Sequence, residues 1–183
     1  EYDEYGNIKS EIRYEKDGTP SNKTEYEYTY VNGRISECEE LYYPSGWWLE
    51  ENVAPTAVYT EYDEEGRAVF ALASMSMTGY WYFYGETEEY ISRKISEGLG
   101  VKVGQAELHI CDESGNLLRV EDVDASGNRT LLERYTYDDA GRVIRYEDYW
   151  FGTYITEYVY NADGQLERTY ERRGEGEELY SQR

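Results

Sequence analysis

The feature that most constrains the fold is a seven-residue unit that recurs through the chain. It consists of an aromatic residue, Asp or Asn, two variable residues, Gly, a polar residue and an apolar residue. Clear copies lie at residues 2–8, 62–68, 137–143 and 160–166, degenerate copies at 111–117 and 123–128, and a shorter form at 31–35. The Asp or Asn side chain can bond the backbone two residues on, and Gly takes a positive φ at no steric cost. Each copy therefore predicts a hairpin turn.

The segments between these turns alternate with a period of two residues. In Glu25–Tyr30, three tyrosines share one face and Glu or Thr occupies the other. Such alternation is typical of half-buried antiparallel strands, and the turn spacing predicts about a dozen of them. We expect an all-β fold, an antiparallel meander of hairpins that forms an extended, strongly twisted sheet within a single domain over residues 1–183.

Two segments depart from this pattern. Residues 67–74 are apolar on both faces, which predicts a strand buried on both sides at the centre of the molecule. Residues 86–98 fit two structures. One is a short helix near 87–97, with acidic residues at its start, Arg93 and Lys94 near its end and Gly98 just past it. The other is a hairpin that turns through residues 97–100.

The composition is acidic and rich in aromatic residues. The chain carries 39 Asp and Glu against 18 Lys and Arg, a formal net charge of −21. This charge argues against nucleic acid as a partner and disfavours anionic membrane surfaces. The longest uncharged stretch, residues 68–85, contains polar residues throughout, so we expect no membrane insertion. With 23 Tyr and 4 Trp, we expect the core to be aromatic rather than aliphatic.

Residues that could support catalysis are scarce. The only histidine is His109, which we expect on the solvent face of a strand. The sequence has no Gly-x-Ser-x-Gly elbow, no glycine-rich phosphate loop, no histidine-rich metal motif and no complete calcium loop. We expect neither an enzyme nor a cofactor or metal ion. Paired carboxylates leave an acidic glycosidase as the least favoured alternative.

The tryptophans are the candidate binding residues. Trp47, Trp48, Trp81 and Trp150, with neighbouring tyrosines, could form an exposed aromatic platform for a sugar or a protein partner. The alternative is that these rings belong to the core. Adjacent strand residues face opposite sides, so one ring of the Trp47–Trp48 pair would be exposed unless the pair lies in a loop.

The two cysteines, Cys38 and Cys111, could form a disulfide in an oxidising compartment. A two-residue turn at residues 32–33 would pair Glu27 with Cys38 and place the thiol on the polar face of its strand. Strand alternation places Cys111 on a polar face as well. A one-residue bulge before Cys38 would reverse its direction and remove this argument.

The repeated unit, with Tyr-rich strands between its copies, resembles the YD-repeat, or Rhs-like, proteins. The resemblance is carried by residues 2–8, 62–68, 137–143 and 160–166, with weaker copies at 30–35 and 111–117. It implies long antiparallel sheets of non-catalytic repeats on secreted or surface-exposed bacterial proteins. Some members of the family wrap into shells around a toxin domain. This chain has no clear copy over residues 67–110 and is too short to close a large shell.

These observations lead to one expected function and two alternatives. We expect a scaffold or adhesive module of a secreted or cell-surface bacterial protein, whose partner is a protein or glycan at the cell surface. The first alternative is a carbohydrate-binding module that uses an exposed aromatic face, and the second is the glycosidase. We expect a monomer or a weak edge-to-edge dimer. Because the chain opens inside a copy of the unit, we also expect it to be processed or truncated.

Overall fold

The computed structural model describes residues 1–44, 55–74, 76–98, 105–174 and 181–182. Its described residues form thirteen strands and one helix. In chain order these are β1 Ser10–Tyr14, β2 Pro20–Val31, β3 Arg34–Tyr43, β4 Thr56–Tyr62, β5 Ala68–Ala73, β6 Thr78–Tyr84, α1 Glu88–Ser96, β7 Gln105–Cys111, β8 Leu117–Val123, β9 Arg129–Tyr137, β10 Val143–Asp148, β11 Tyr154–Tyr160, β12 Leu166–Arg173 and β13 Ser181–Gln182. The predicted all-β fold and its single short helix are confirmed.

The chain forms two compact units, Glu1–Trp81 and Tyr82–Arg183. In the first unit, β1 to β5 and the beginning of β6 pair in chain order, and every pair is antiparallel. Since each strand pairs with its neighbours in sequence, the first unit is the predicted meander. The expectation that residues 1–183 form a single domain stays a prediction.

The second unit repeats this arrangement and adds the helix. From β7 to β13 each strand pairs antiparallel with the next. The Thr87 side chain caps α1 by accepting the backbone N–H of Tyr90, and Gly98 follows the last turn with φ +87°. Acidic residues occupy the first turn and Arg93 and Lys94 the last, which favours the helix dipole. Local capping chemistry thus selects the helix over the hairpin.

The prediction of an aromatic core is wrong. Among the described residues no tyrosine is fully buried, and Phe83 is the only large ring below the surface. The buried apolar positions are mostly small or aliphatic: Ala71, Ile91, Ala106, Leu108, Ile110, Val120, Val123, Leu132 and Ile155. Burying a tyrosine ring costs the least free energy when its hydroxyl still contacts water or a backbone acceptor. Most of the described tyrosines are therefore half-buried, and a few, such as Tyr5 and Tyr14, are exposed.

The strand β5 is also less buried than expected. It lies between β4 and β6, and only Ala71 is buried, while its other side chains are half-buried on both faces. The prediction that both faces are fully covered is therefore wrong. Phe70 of β5 packs against Trp81 of the adjacent strand.

Candidate interaction surfaces

Six turns share one hydrogen-bond pattern, which explains why the repeated unit needs its Asp and Gly. The first polar residue donates its backbone N–H to the carbonyl four residues on, and the glycine N–H returns to the carbonyl of that first residue. In every case a side-chain oxygen also accepts the amide of the fourth residue on, at 2.8–3.0 Å. The six residues that begin these turns are Asp3, Asp63, Asp112, Asp124, Asp138 and Asn161. Their glycines have φ between +74° and +89°.

The polar position after the glycine has a role that the sequence analysis missed. In most copies its side chain returns to the same turn carboxylate. Arg67 Nε lies 2.8 Å from Asp63, and Asn116 Nδ2 lies 2.8 Å from Asp112. The Asn116 side chain and the turn amides hold the pKa of Asp112 below its usual value. The sequence does carry a signal for this role, because the position is Asn, Arg or Gln in all six turns.

Tyrosine hydroxyls tie neighbouring copies of the unit together. The hydroxyls of Tyr28, Tyr137 and Tyr160 each donate, at 2.8 Å, to a carbonyl at the start of the preceding strand or, for Tyr28, two residues before that strand. The three acceptors are Ile8, Leu117 and Val143. Each acceptor is the apolar residue that ends an earlier copy of the unit. Tyr137 and Tyr160 each begin a copy of the unit, so the aromatic residue of one copy holds the last residue of an earlier copy in place, which gives it a structural function.

The four predicted tryptophans do not all fall on described residues. Trp47 and Trp48 lie outside them. Trp81, in the first unit, is half-buried and its ring centroid lies 4.5 Å from that of Phe70. Trp150, in the second unit, is 43% exposed. Of the described pair, Trp150 therefore offers the more accessible ring.

Trp150 belongs to an exposed aromatic tip, which we define as Trp150, Phe151 and Tyr154. Phe151 is 86% exposed in the turn between β10 and β11. That turn departs from the repeated unit. Trp150 donates its backbone N–H to Asp148 Oδ1 at 2.8 Å, and Gly152 has φ +119°. The Arg173 guanidinium lies over the Tyr154 ring, 5.2 Å from its centroid. Large apolar rings exposed together are typical of binding surfaces.

A cleft of about 740 Å³ lies between two adjacent turns of the first unit. The β3–β4 pairing ends at Glu37 opposite Glu61, and beyond this point the two strands separate. Ile35 and Tyr62 line the cleft, and the Arg34 guanidinium crosses it to donate to the Glu64 carbonyl. The cleft is mixed in polarity and open to solvent.

The predicted environment of both cysteines is wrong. A bulge between Thr29 and Tyr30 shifts the β2–β3 register, so Cys38 lies opposite Tyr28 on the tyrosine face. Cys38 is buried, and this burial, with Glu40 and Glu39 nearby, raises the pKa of its thiol to about 11. A second bulge precedes Cys111, which is also buried. The polar-face argument for a disulfide therefore fails, and the Cys38–Cys111 bridge itself stays a prediction.

His109 lies on β7 but is not solvent-facing as expected. It is half-buried, its ring centroid lies 4.9 Å from that of Tyr82, and its Nε2 lies 3.8 Å from a Glu107 carboxylate oxygen. The aromatic contact explains the burial. Within the described ranges, no three His, Cys, Asp or Glu side chains are grouped as a metal ion would require.

The recurring turns and consecutive antiparallel strands define a β-repeat protein. The model of the RHS Repeat family matches residues 112–154, which include the turns that begin at Asp112, Asp124 and Asp138. This match confirms the predicted resemblance to YD-repeat, or Rhs-like, proteins over that segment. A comparison with curated proteins gives no match to the chain. RHS repeats are structural repeats and typically occur in secreted or cell-surface proteins.

Proposed function

We propose that the chain is a non-catalytic scaffold or adhesive module of a secreted or cell-surface bacterial protein. The observation that carries the proposal is the hydrogen-bond pattern common to the six turns. The Asp or Asn, the glycine and the following polar residue of each copy are engaged in closing the turn, and several tyrosines fasten one copy to another. The recurring residues therefore serve architecture, and they leave the sheet faces and turn tips for contacts.

The family match and the composition support a location outside the cytoplasm. RHS repeats typically occur on cell surfaces or in secreted proteins. A net charge of −21 keeps an exposed sheet soluble and discourages pairing between its edges. The one helix of the described residues, α1, has nine residues, and no described helix is long and apolar enough to cross a bilayer.

Surface labelling of the source bacterium tests the location. Antibodies raised against the purified chain should label intact cells or detect the protein in culture medium. A cytoplasmic marker stained in parallel controls for cell lysis. Signal that requires permeabilisation, with none in the medium, would contradict the proposed location.

Adhesion is tested with beads coated with the purified chain. The beads should be retained on bacterial or host cell layers, and soluble chain should compete. The matched control is a double variant, Trp150→Ala with Phe151→Ala, which removes two exposed rings without touching a strand pairing. Retention no greater than that of beads coated with an unrelated acidic protein would favour a purely structural scaffold.

A carbohydrate-binding module is the second candidate because of the exposure of Phe151 and Trp150 at the aromatic tip. Sugar rings stack on such aromatic faces, and Asp148 lies beside them on the chain. Titration of soluble glycans should change tryptophan fluorescence, and Trp150→Phe should remove the change. Trp81→Phe is the matched control, since Trp81 is half-buried against Phe70. An unchanged spectrum across a broad glycan panel would reject this candidate.

The proposed oligomeric state is a monomer or a weak dimer. β1 is an edge strand of the first unit and pairs with β2 alone among the named strands. Unpaired edge amides can recruit a second strand, while the negative charge opposes association. Sedimentation over a wide concentration range should show a monomer with at most weak self-association, and a tight dimer at micromolar concentration would contradict this.

A further inference from the structure

A row of four tyrosine rings runs along β2 and ends on the first turn of the chain. The ring centroids of Tyr26 and Tyr28 are 6.2 Å apart, and those of Tyr28 and Tyr30 are 6.1 Å apart. The row closes with Tyr5, whose centroid lies 4.3 Å from that of Tyr30. Tyr5 is 56% exposed, so the row connects a solvent-accessible ring to half-buried ones.

The Tyr30 hydroxyl has a proton acceptor in place. It donates to the Asp3 carboxylate and accepts a hydrogen bond from Asn7 Nδ2 at 2.7 Å. Burial opposes ionisation of Asp3, but the bonds from Tyr30 and from the turn amides outweigh it and lower the pKa of Asp3. Asp3 is thus a carboxylate at neutral pH. Loss of one electron makes a phenol strongly acidic, so a carboxylate that takes up its proton makes that electron easier to remove.

We propose that Tyr5 and Tyr30 form an oxidative modification site, at which a one-electron oxidant couples the two rings into dityrosine. The oxidant class is a peroxidase intermediate or a photochemically generated radical. One electron leaves Tyr30 and its hydroxyl proton passes to Asp3. A second electron leaves Tyr5 and its proton passes to water.

The two tyrosyl radicals then form a carbon–carbon bond between ring positions ortho to the oxygens. The hydrogens on those carbons move to the oxygens and restore both phenols. In sum, the oxidant accepts two electrons, two protons are released, and one bond joins the rings. The proposal goes beyond the scaffold role and does not depend on it.

The row favours this pair over other tyrosines. A radical formed at Tyr26 or Tyr28 can be reduced by an electron from the next ring of the row, and the radical thereby moves towards Tyr30. The Tyr135–Tyr146 pair of the second unit is a natural comparison, since its centroids are 5.0 Å apart and the Tyr135 hydroxyl donates to Glu133 at 2.6 Å. Both of its rings are half-buried, so it lacks an exposed entry ring like Tyr5.

The test is photo-oxidation of dilute protein with a ruthenium tris-bipyridyl complex and persulfate. Dityrosine is detected by its fluorescence, and the linked residues are identified by mass spectrometry of the digested monomer. We expect the main intramolecular link to join Tyr5 and Tyr30. Tyr5→Phe and Tyr30→Phe should each abolish it, while Tyr14→Phe, which alters an exposed tyrosine of β1, should leave it unchanged.

Asp3→Asn tests the proton acceptor without removing the turn. Asn161 begins the turn between β11 and β12 and accepts the same two backbone amides through its side-chain oxygen, so an asparagine can close such a turn. We expect the Tyr5–Tyr30 link to form several-fold more slowly in this variant, with an unchanged circular dichroism spectrum. An equal rate would overturn the role of Asp3. Absence of the link in the wild-type monomer, or links mainly at Tyr14, would overturn the proposal itself.

Discussion

At the residue scale, the turn aspartate combines backbone capping with an ion pair. Asp63 accepts the amides of Glu65 and Arg67 at 3.0 and 2.8 Å and also pairs with the Arg67 guanidinium. Asp63→Ala leaves these donors without their acceptor. We expect the free energy of unfolding to fall by about 1–2 kcal/mol. Urea unfolding followed by circular dichroism measures the change.

Asp63→Asn is the matched control. An asparagine oxygen can still accept both amides, as it does at Asn161, while the charge attraction to Arg67 is lost. The Arg67 side chain is partly exposed, so this loss should stay below about 1 kcal/mol. Equal losses in the two variants would show that the ion pair, and not the capped backbone, holds the turn.

Cys38 offers a second test at this scale. Its thiol pKa is raised to about 11, first by burial and then by Glu40 and Glu39, so little thiolate exists at pH 8. In the Cys111→Ala variant, we expect iodoacetamide to modify native Cys38 roughly a hundredfold more slowly than the urea-unfolded chain. Comparable rates would contradict the buried position. Mass spectrometry of the oxidised wild-type chain with and without reductant separately tests the Cys38–Cys111 bridge.

At the element scale, α1 is held on the second unit by an apolar contact and by ion pairs. Ile91 is completely buried, and the Tyr90 ring lies edge-on to Phe83 with 6.4 Å between centroids. Glu88 pairs with Arg119 and Arg129, but its side chain is 61% exposed. Burial of an aliphatic side chain outweighs an exposed ion pair, so Ile91 should dominate.

The prediction for α1 compares two substitutions. Ile91→Ala should lower the free energy of unfolding of the second unit by about 2–5 kcal/mol, and Glu88→Gln by less than about 1 kcal/mol. Hydrogen exchange of the backbone amides of α1 measures how far each substitution destabilises the helix itself. If Glu88→Gln exposes the helix as much as Ile91→Ala does, the ion pairs are the main anchor.

The same scale shows what the sequence could and could not predict. Turns and the helix follow from local chemistry, because an Asp and a Gly at fixed offsets, or a Thr87 cap, act within a few residues. Register depends on bulges as well. The shift before Cys111 recurs at the aromatic position of the copies that begin at Tyr62 and Tyr160. The bulge at Thr29 and Tyr30, which moved Cys38 to the tyrosine face, lies instead before the shorter form of the unit at residues 31–35, so the full copies do not predict it.

Burial was mispredicted for a related reason. Composition counts the rings but does not say how deeply each one is buried. Every described tyrosine keeps part of its surface in water, while Leu108 and Ile91 in the second unit are completely buried. Trp150 could be chosen as a candidate binding residue because it is a tryptophan. Its exposure, however, depends on the irregular β10–β11 turn, which does not follow the repeated unit.

At the scale of the whole molecule, the net charge of −21 is arranged so that many cations bridge carboxylates. Arg145 lies 2.8 Å from Glu147 and 2.6 Å from Glu157, and Arg172 also reaches Glu157 at 3.3 Å. Glu147 is buried, which requires such compensation. The turn aspartates add a second set of carboxylates, and the hydrogen bonds of each turn favour their ionised form.

The loss of folding stability at acidic pH should therefore depend on the turns. Their side-chain partners and turn amides lower the pKa of Asp112, Asp124 and Asp138 in the folded chain. A lowered folded pKa gives a stabilisation that is present above the unfolded value of about 4 and is lost as pH falls through the folded value.

Between pH 7 and about pH 5 the loss of net negative charge relieves repulsion, so the urea midpoint should hold or rise, and it should fall steeply below about pH 4. Replacing all three residues by Asn should flatten that fall, because asparagine closes a turn without titrating. A midpoint that declines already between pH 7 and pH 5, or an equally steep acid limb in the triple variant, would show that other carboxylates control acid unfolding.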